Sequence, residues 1–184
     1  MRHPNLLQNE NSLLLIVDVQ ERFRDHIHDF KGMVDNIGKL VEASKILNLP
    51  VLITEQYPKG LGKTVSEIEE KLGAHQQFEK TEFSSCQNRA VMDALQRAGR
   101  RQIIVCGIET HVCVNQTVHD LLASHYQVHV VADAVSSRFV ANKELGLAKM
   151  YAAGALPACV EMALLELVND AAAQTFKPVQ NLIK

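Results

Sequence analysis

Short apolar runs recur along this chain, with segments of helical period between them. The first, Ser12 to Val19 (SLLLIVDV), sets the pattern. It is apolar at successive positions, so it predicts a strand buried on both faces, as in a parallel sheet covered by helices. Similar runs follow at Pro50 to Thr54, Gln102 to Cys106, Gln127 to Ala132 and Pro157 to Val160, with a weaker one at His75 to Lys80. Between them, Met33–Leu47, Val65–Leu72, Asn88–Ala98, a stretch after Thr110, Asn142–Ala153 and Glu161–Val168 carry apolar residues at helical spacing. Asn48-Leu49-Pro50, Gly99 and Gly154 stop three of these helices. This alternation predicts a three-layer α/β/α fold around a six-stranded, mainly parallel, Rossmann-like sheet with right-handed crossovers. Residues 1–184 read as a single domain, with a core over 11–168 and a C-terminal tail over 169–184 that is either loose or docked on another subunit.

One stretch concentrates the chemistry. Val105 to Thr117 (VCGIETHVCVNQT) reads as strand, tight turn and helix. Gly107 breaks the apolar run, Thr110 is a plausible N-cap, and Val114, Val118, Leu121 and Leu122 follow at helical spacing. Cys113 then falls in the first helical turn, among free backbone N–H groups and at the positive end of the helix dipole. That setting is expected to push a thiol towards thiolate. The alternative is a small buried hydrophobe, the commoner fate of a cysteine.

The formal net charge is −2 and no Lys/Arg cluster stands out, which argues against nucleic acid or a membrane surface as partner. No apolar run approaches the roughly 20 residues of a membrane span, and the polar N-terminus lacks a signal-peptide apolar region. The four cysteines show no metal-site spacing. A cytoplasmic protein with free thiols is the expectation.

Two further residues sit where strands end. Asp18 closes the first run and Lys80 closes HQQFEK. Ligands of open α/β sheets bind beyond the carboxyl ends of strands. Each residue also has a plain reading, Asp18 as a loop cap and Lys80 as solvated surface. His129 reads as a packed histidine, and Asp133, Ser136 and Ser137 as a polar loop that binds substrate or caps. Together, Asp18, Lys80 and Cys113 make a coherent device. The thiol attacks a carbonyl, the aspartate takes its proton, and the lysine lowers both pKa values and holds the ion pair.

With these residues the chain resembles the isochorismatase-like cysteine hydrolase superfamily. The resemblance rests on LLLIVDVQ with Asp18, KTEFS with Lys80, GIETHVCV with Cys113, and VVADAVSS around Asp133, and it runs from about Ser12 to Val168. It implies a six-stranded parallel sheet, an Asp-Lys-Cys triad, and hydrolysis of small amides or carbamoyl compounds through a thioester. Relatives are commonly multimers, so a homo-oligomer is expected. The nicotinamidases of the superfamily carry an Asp-x-His-x-x-His metal motif after the second strand. Here that place reads Thr54-Glu55-Gln56-Tyr57-Pro58-Lys59-Gly60, so no metal and no cofactor are expected. The isochorismate hydrolases lack the cysteine, whereas Cys113 is present.

The expected function is a metal-independent cysteine hydrolase cleaving a C–N bond of a small molecule. The alternatives are a catalytically silent scaffold or binding protein of the same fold, and a metal-dependent hydrolase using Glu55, His75 and another histidine. Gln20, Phe23, Tyr57, Phe83 and Val112 are candidate substrate-pocket residues by adjacency to the triad. The resemblance further implies a cis peptide between Ile108 and Glu109, which would aim the Glu109 N–H at a developing oxyanion beside the Cys113 N–H.

Overall fold

The computed structural model describes residues 2–184. The six strands are β1 (Ser12–Val17), β2 (Val51–Gln56), β3 (Gln76–Lys80), β4 (Gln102–Ile108), β5 (Gln127–Ser136) and β6 (Leu156–Ala158). They form one sheet in the order β3-β2-β1-β4-β5-β6, every pair parallel. The helices are α1 (Phe30–Leu47), α2 (Pro58–Leu61), α3 (Ser66–Glu69), α4 (Arg89–Ala98), α5 (Asn115–Ala123), α6 (Val140–Ala152), α7 (Val160–Val168) and α8 (Phe176–Gln180).

β1 explains why the first apolar run is unbroken. All six of its residues are buried. Leu14 and Ile16 point into a core shared with α1 and α7, while Leu13, Leu15 and Val17 point into a second core with α4, α5 and α6. A strand sandwiched between two helical layers has no polar face to show.

The chain runs outwards from β1 to β2 and β3, then returns to build β4, β5 and β6 on the other side. The reversal therefore lies between β1 and β4, where doubly wound sheets open a crevice. Asp18 follows β1 directly, and Cys113 lies just beyond β4. Gly107 lets these strands approach. Its φ is +112°, and a Cβ there would overlap the backbone of Val17, its register partner.

Three local expectations are corrected. β5 runs on to Ser136 instead of ending near Ala132, with a register shift between Val105 and Gly107 on the β4 side. α6 begins at Val140, ahead of Asn142. The tail is neither loose nor turned outwards. Ala173, Phe176, Val179, Leu182 and Ile183 pack on the chain's own core, and α8 lies against α7 and α1. No helix among the described residues is long and apolar enough to cross a membrane.

Candidate active site

Asp18 leaves β1 with φ +56°, a left-handed conformation that aspartate tolerates better than most residues. Its backbone N–H donates to the Thr54 carbonyl at 3.0 Å. The Thr54 hydroxyl donates to its Oδ1 at 2.8 Å, and Lys80 Nζ donates to its Oδ2 at 2.7 Å. The Asp18 and Lys80 side chains are 2% and 0% exposed. Desolvation of this magnitude is tolerable only when both charges are paired and hydrogen-bonded. Lys80 meets that condition. Its ammonium also reaches Gln56 Oε1 at 2.7 Å and the carbonyls of Glu82 and Phe83 at 3.0 and 3.3 Å.

Cys113 is 7% exposed, and its thiol lies within the electrostatic reach of both Asp18 and Lys80. The structure thus brings Asp18, Lys80 and Cys113 together, as their positions at strand ends imply. It corrects the expected electrostatics, however. The Cys113 thiol is pushed up to about 12, by burial first and then by the negative charge of Asp18, with Lys80 acting the other way. Asp18 is also raised, because burial outweighs the ammonium and the hydrogen bonds that favour its charge. At rest the Cys113 thiol is therefore neutral.

Local structure removes part of the expected helix-terminus effect. Thr110–Val114 forms a π-helical turn before α5, with Glu109 at its N-cap position. Both Val112 N–H and Val114 N–H donate to the Glu109 carbonyl. Thr110 does not cap, and its buried hydroxyl has no hydrogen-bond partner. The Ile108–Glu109 peptide is cis. The Glu109 carboxylate is held by Arg138, through the backbone N–H at 3.0 Å and Nε at 3.2 Å.

The pocket candidates separate. Gln20 is wholly buried and its amide is spent on backbone. Nε2 donates to the carbonyls of Gln56 and Gly62, and Oε1 accepts from Gln56 N–H. It clamps the loop after β2 and has no donor left for a ligand. Phe23 packs on the α1-side core and Val112 on the α5-side core. Tyr57 and Phe83 remain 55% exposed near Lys80, Tyr57 beside an open groove of about 380 Å³ that also includes Lys59 and Glu82. Asp133 caps α7 by accepting from Val160 N–H, and Ser137 hydrogen-bonds His111 on the π turn.

The metal-site alternative fails on placement. Glu55 is buried and accepts from the N–H and hydroxyl of Thr64. His75 is exposed before β3, bonded to the Gly73 carbonyl. Register places Glu55 opposite Glu79 and Leu52 opposite Gln76, so His75 lies at the far end of the strands from Glu55. Among the described residues, no three His, Cys, Asp or Glu side chains converge as a metal-binding group.

Sequence reasoning missed Thr54, Gln56, Arg138 and Asp120. Asp120 accepts from the Ser84 hydroxyl at 2.6 Å, tying the loop that wraps Lys80 to the helix that follows Cys113. Of these, Thr54 and Gln56 lay in a stretch already singled out, Thr54-Glu55-Gln56-Tyr57-Pro58-Lys59-Gly60.

An all-parallel six-stranded sheet in the order β3-β2-β1-β4-β5-β6, covered by helices on both faces, makes this a three-layer α/β protein of the isochorismatase type. The Isochorismatase domain model matches residues 12–162, and the chain belongs to that family. It is 42% identical to isochorismatase domain-containing protein 2 of Danio rerio, over 96% of this chain and 89% of that one. It is 41% identical to isochorismatase domain-containing protein 1 of Salmo salar, over 91% of this chain but 59% of that longer relative. Among solved structures, that of the MAR1 ribonuclease from Caenorhabditis elegans superposes with a TM-score of 0.93 at 40% identity, over 97% of this chain and 92% of that one.

Proposed function

We propose that the protein is a metal-independent cysteine hydrolase that cleaves a C–N bond of a small amide or carbamoyl compound through a thioester. The observation that carries this reading is the buried Asp18–Lys80 pair at 2.7 Å, with the Cys113 thiol under the influence of both charges.

With burial and the Asp18 charge pushing the thiol up to about 12, the neutral thiol predominates at pH 7. A preformed thiolate is therefore not the resting state, and Asp18 must take the proton as Sγ attacks the carbonyl carbon. Lys80 stays beside Asp18 and keeps its carboxylate available. The tetrahedral oxyanion needs donors about 2.7–3.1 Å away. We assign this role to the Glu109 and Cys113 N–H groups, at the strand-to-helix turn. Collapse of the intermediate expels the amine, which takes its proton from Asp18. Water then attacks the thioester, gives its proton to Asp18, and Cys113 is released as the thiol with the acid product. Tyr57 and Phe83, exposed beside Lys80, are the pocket walls we retain.

The Caenorhabditis elegans relative is named a ribonuclease. A phosphodiester polyanion fits poorly here, because the chain carries a formal net charge of −2 and Lys80 is fully engaged. The four cysteines are all free, which suits a reducing compartment, and we assign the protein to the cytoplasm. We take the 184 residues as one working domain.

The test is a screen of purified protein against small amides, ureides and an RNA substrate, with Cys113→Ala as control. Ammonia or amine release that disappears in the variant and survives prolonged EDTA treatment supports the reading. RNA cleavage, or turnover that Cys113→Ala retains, overturns it.

A further inference from the structure

Glu109 has two ends with opposed effects on the same site. Its backbone N–H is one of the two donors assigned to the oxyanion. Its carboxylate, on a side chain only 10% exposed, is a negative charge that opposes thiolate formation at Cys113. A carboxylate held so far out of water is costly unless it is paired. Its one ion-pair partner among the described residues is Arg138. The backbone N–H and Nε of Arg138 both donate to Oε2, at 3.0 and 3.2 Å.

The segment between β5 and α6 places Arg138 for this contact, and it is fastened on two sides. The Ser137 carbonyl accepts from the His28 N–H at 3.0 Å, and the Ser137 hydroxyl lies 3.1 Å from His111 Nδ1. The Arg138 side chain itself is 52% exposed. The guanidinium can therefore be removed without opening a core, and the backbone N–H of residue 138 would still donate to Glu109.

Three charged groups act on the sulfur. Asp18 comes from the end of β1, Lys80 from β3 and Glu109 from the turn after β4. His111, two residues before Cys113, is turned to Ser137 and Asn142. Lys80 has nothing left for Glu109, because its ammonium is engaged by Asp18, Gln56 and two carbonyls. Asp18 and Lys80 balance each other. The Glu109 charge is left over, and Arg138 balances it. A thiolate or an oxyanion adds one more negative charge here, and in a poorly hydrated site an unpaired neighbour of the same sign opposes it strongly.

Resting on the cysteine-hydrolase reading, we propose that Arg138 is a positioning residue that acts through Glu109. Its guanidinium neutralises the carboxylate and holds it in place, so that neither thiolate nor oxyanion forms against an unpaired negative charge.

Iodoacetamide labelling of Cys113, read by site-resolved mass spectrometry, tests this without a substrate. At a fixed alkaline pH, Arg138→Met should label about threefold more slowly than the wild type, with its profile moved to higher pH. Arg138→Lys should regain most of the wild-type rate, because it restores the charge. In a Glu109→Gln background, Arg138→Met should leave the rate unchanged, since no carboxylate remains to neutralise. Circular dichroism and melting should stay native in all of these variants. An unchanged profile in Arg138→Met, equal slowing in the Glu109→Gln background, or Arg138→Lys no faster than Arg138→Met would overturn the proposal. Labelling is read without turnover, so its failure removes the role of Arg138 alone. Turnover retained by Cys113→Ala would instead remove the reading on which that role rests.

Discussion

The two ends of the sheet both bury polar groups, but of different kinds. At the amino end of the strands, Gln102 gathers neutral partners. Its Oε1 accepts from Gln8 N–H and the Ser12 hydroxyl, and its Nε2 donates to the carbonyls of Pro4 and Leu6 and to Gln127. This network stitches the N-terminal segment beneath β1, β4 and β5 at modest desolvation cost. At the carboxyl end the buried groups are ionic, Asp18 with Lys80, and both charges act on the Cys113 thiol. Burying an ion pair seldom adds net stability over an apolar packing of the same shape. The neutral end is thus best understood as structure and the charged end as chemistry, and the contrast can be broken by experiment.

The largest effect is expected at Cys113. Cys113→Ala should lower turnover by 10³-fold or more and leave the thermal transition almost unmoved, measured as kcat beside a melting curve. Lys80→Met should do both kinds of damage. It removes the charge partner of a buried carboxylate, for which the usual cost is about 3–5 kcal/mol of stability. Adding Asp18→Asn should return much of that stability and none of the activity. A double variant as unstable as Lys80→Met alone would mean that the pair is a structural element.

A titratable group within the same sheet gives a second contrast. His129 on β5 is 2% exposed, its Nε2 has no partner, and burial holds its pKa down at about 4. Folding therefore favours the neutral ring. Its contribution is fully present above the unfolded value near 6.5 and is lost as pH falls towards 4. The loss reaches up to about 3 kcal/mol, the full difference between the two values. Denaturant titrations at pH 7 and pH 4.5 should show it, and His129→Leu should flatten that part of the profile. Gln102→Ala should cost less, about 2 kcal/mol, with kcat unchanged. Lost activity in a folded Gln102→Ala would show that the two ends of the sheet are coupled.

What was legible in the sequence follows the same division. SLLLIV could only be a strand buried on both faces, and the order of runs and helices led to the parallel sheet. Positions at strand ends placed Asp18, Lys80 and Cys113 in one crevice, because topology alone determines which ends converge. Their electrostatics were not legible. The helix-terminus argument for Cys113 is local, whereas the Asp18 charge and the burial that overrule it come from chain 95 residues away and from tertiary packing. Gln20 was misread for a related reason. Nothing in its neighbourhood says that its amide is consumed by Gln56 and Gly62. The hydrophobic residues of the tail had the composition of an interface, and only the fold shows that the partner is α1 and α7 of the same chain.

The smallest effect separates two roles of Asp18. In the resting site its charge raises the Cys113 thiol, and in turnover it is the proposed base for that same thiol. These roles predict opposite responses. Asp18→Asn removes the negative charge and leaves Lys80 beside the sulfur, so the thiol pKa should fall and the thiolate fraction at neutral pH should rise. Iodoacetamide should then label Cys113 faster than in the wild type, by about tenfold for each pKa unit regained, less the lower nucleophilicity of a less basic sulfur. Turnover of the same variant should fall sharply, because no group remains to take the proton. Wild-type labelling should be slow at pH 7 and climb steadily through the alkaline range, with Cys106, wholly buried, as the unreactive internal control. Site-resolved mass spectrometry of the alkylated peptides measures both rates in one sample. If Asp18→Asn slowed labelling along with turnover, Asp18 would already be drawing the thiol towards thiolate in the resting enzyme, and the neutral-thiol ground state would have to be abandoned.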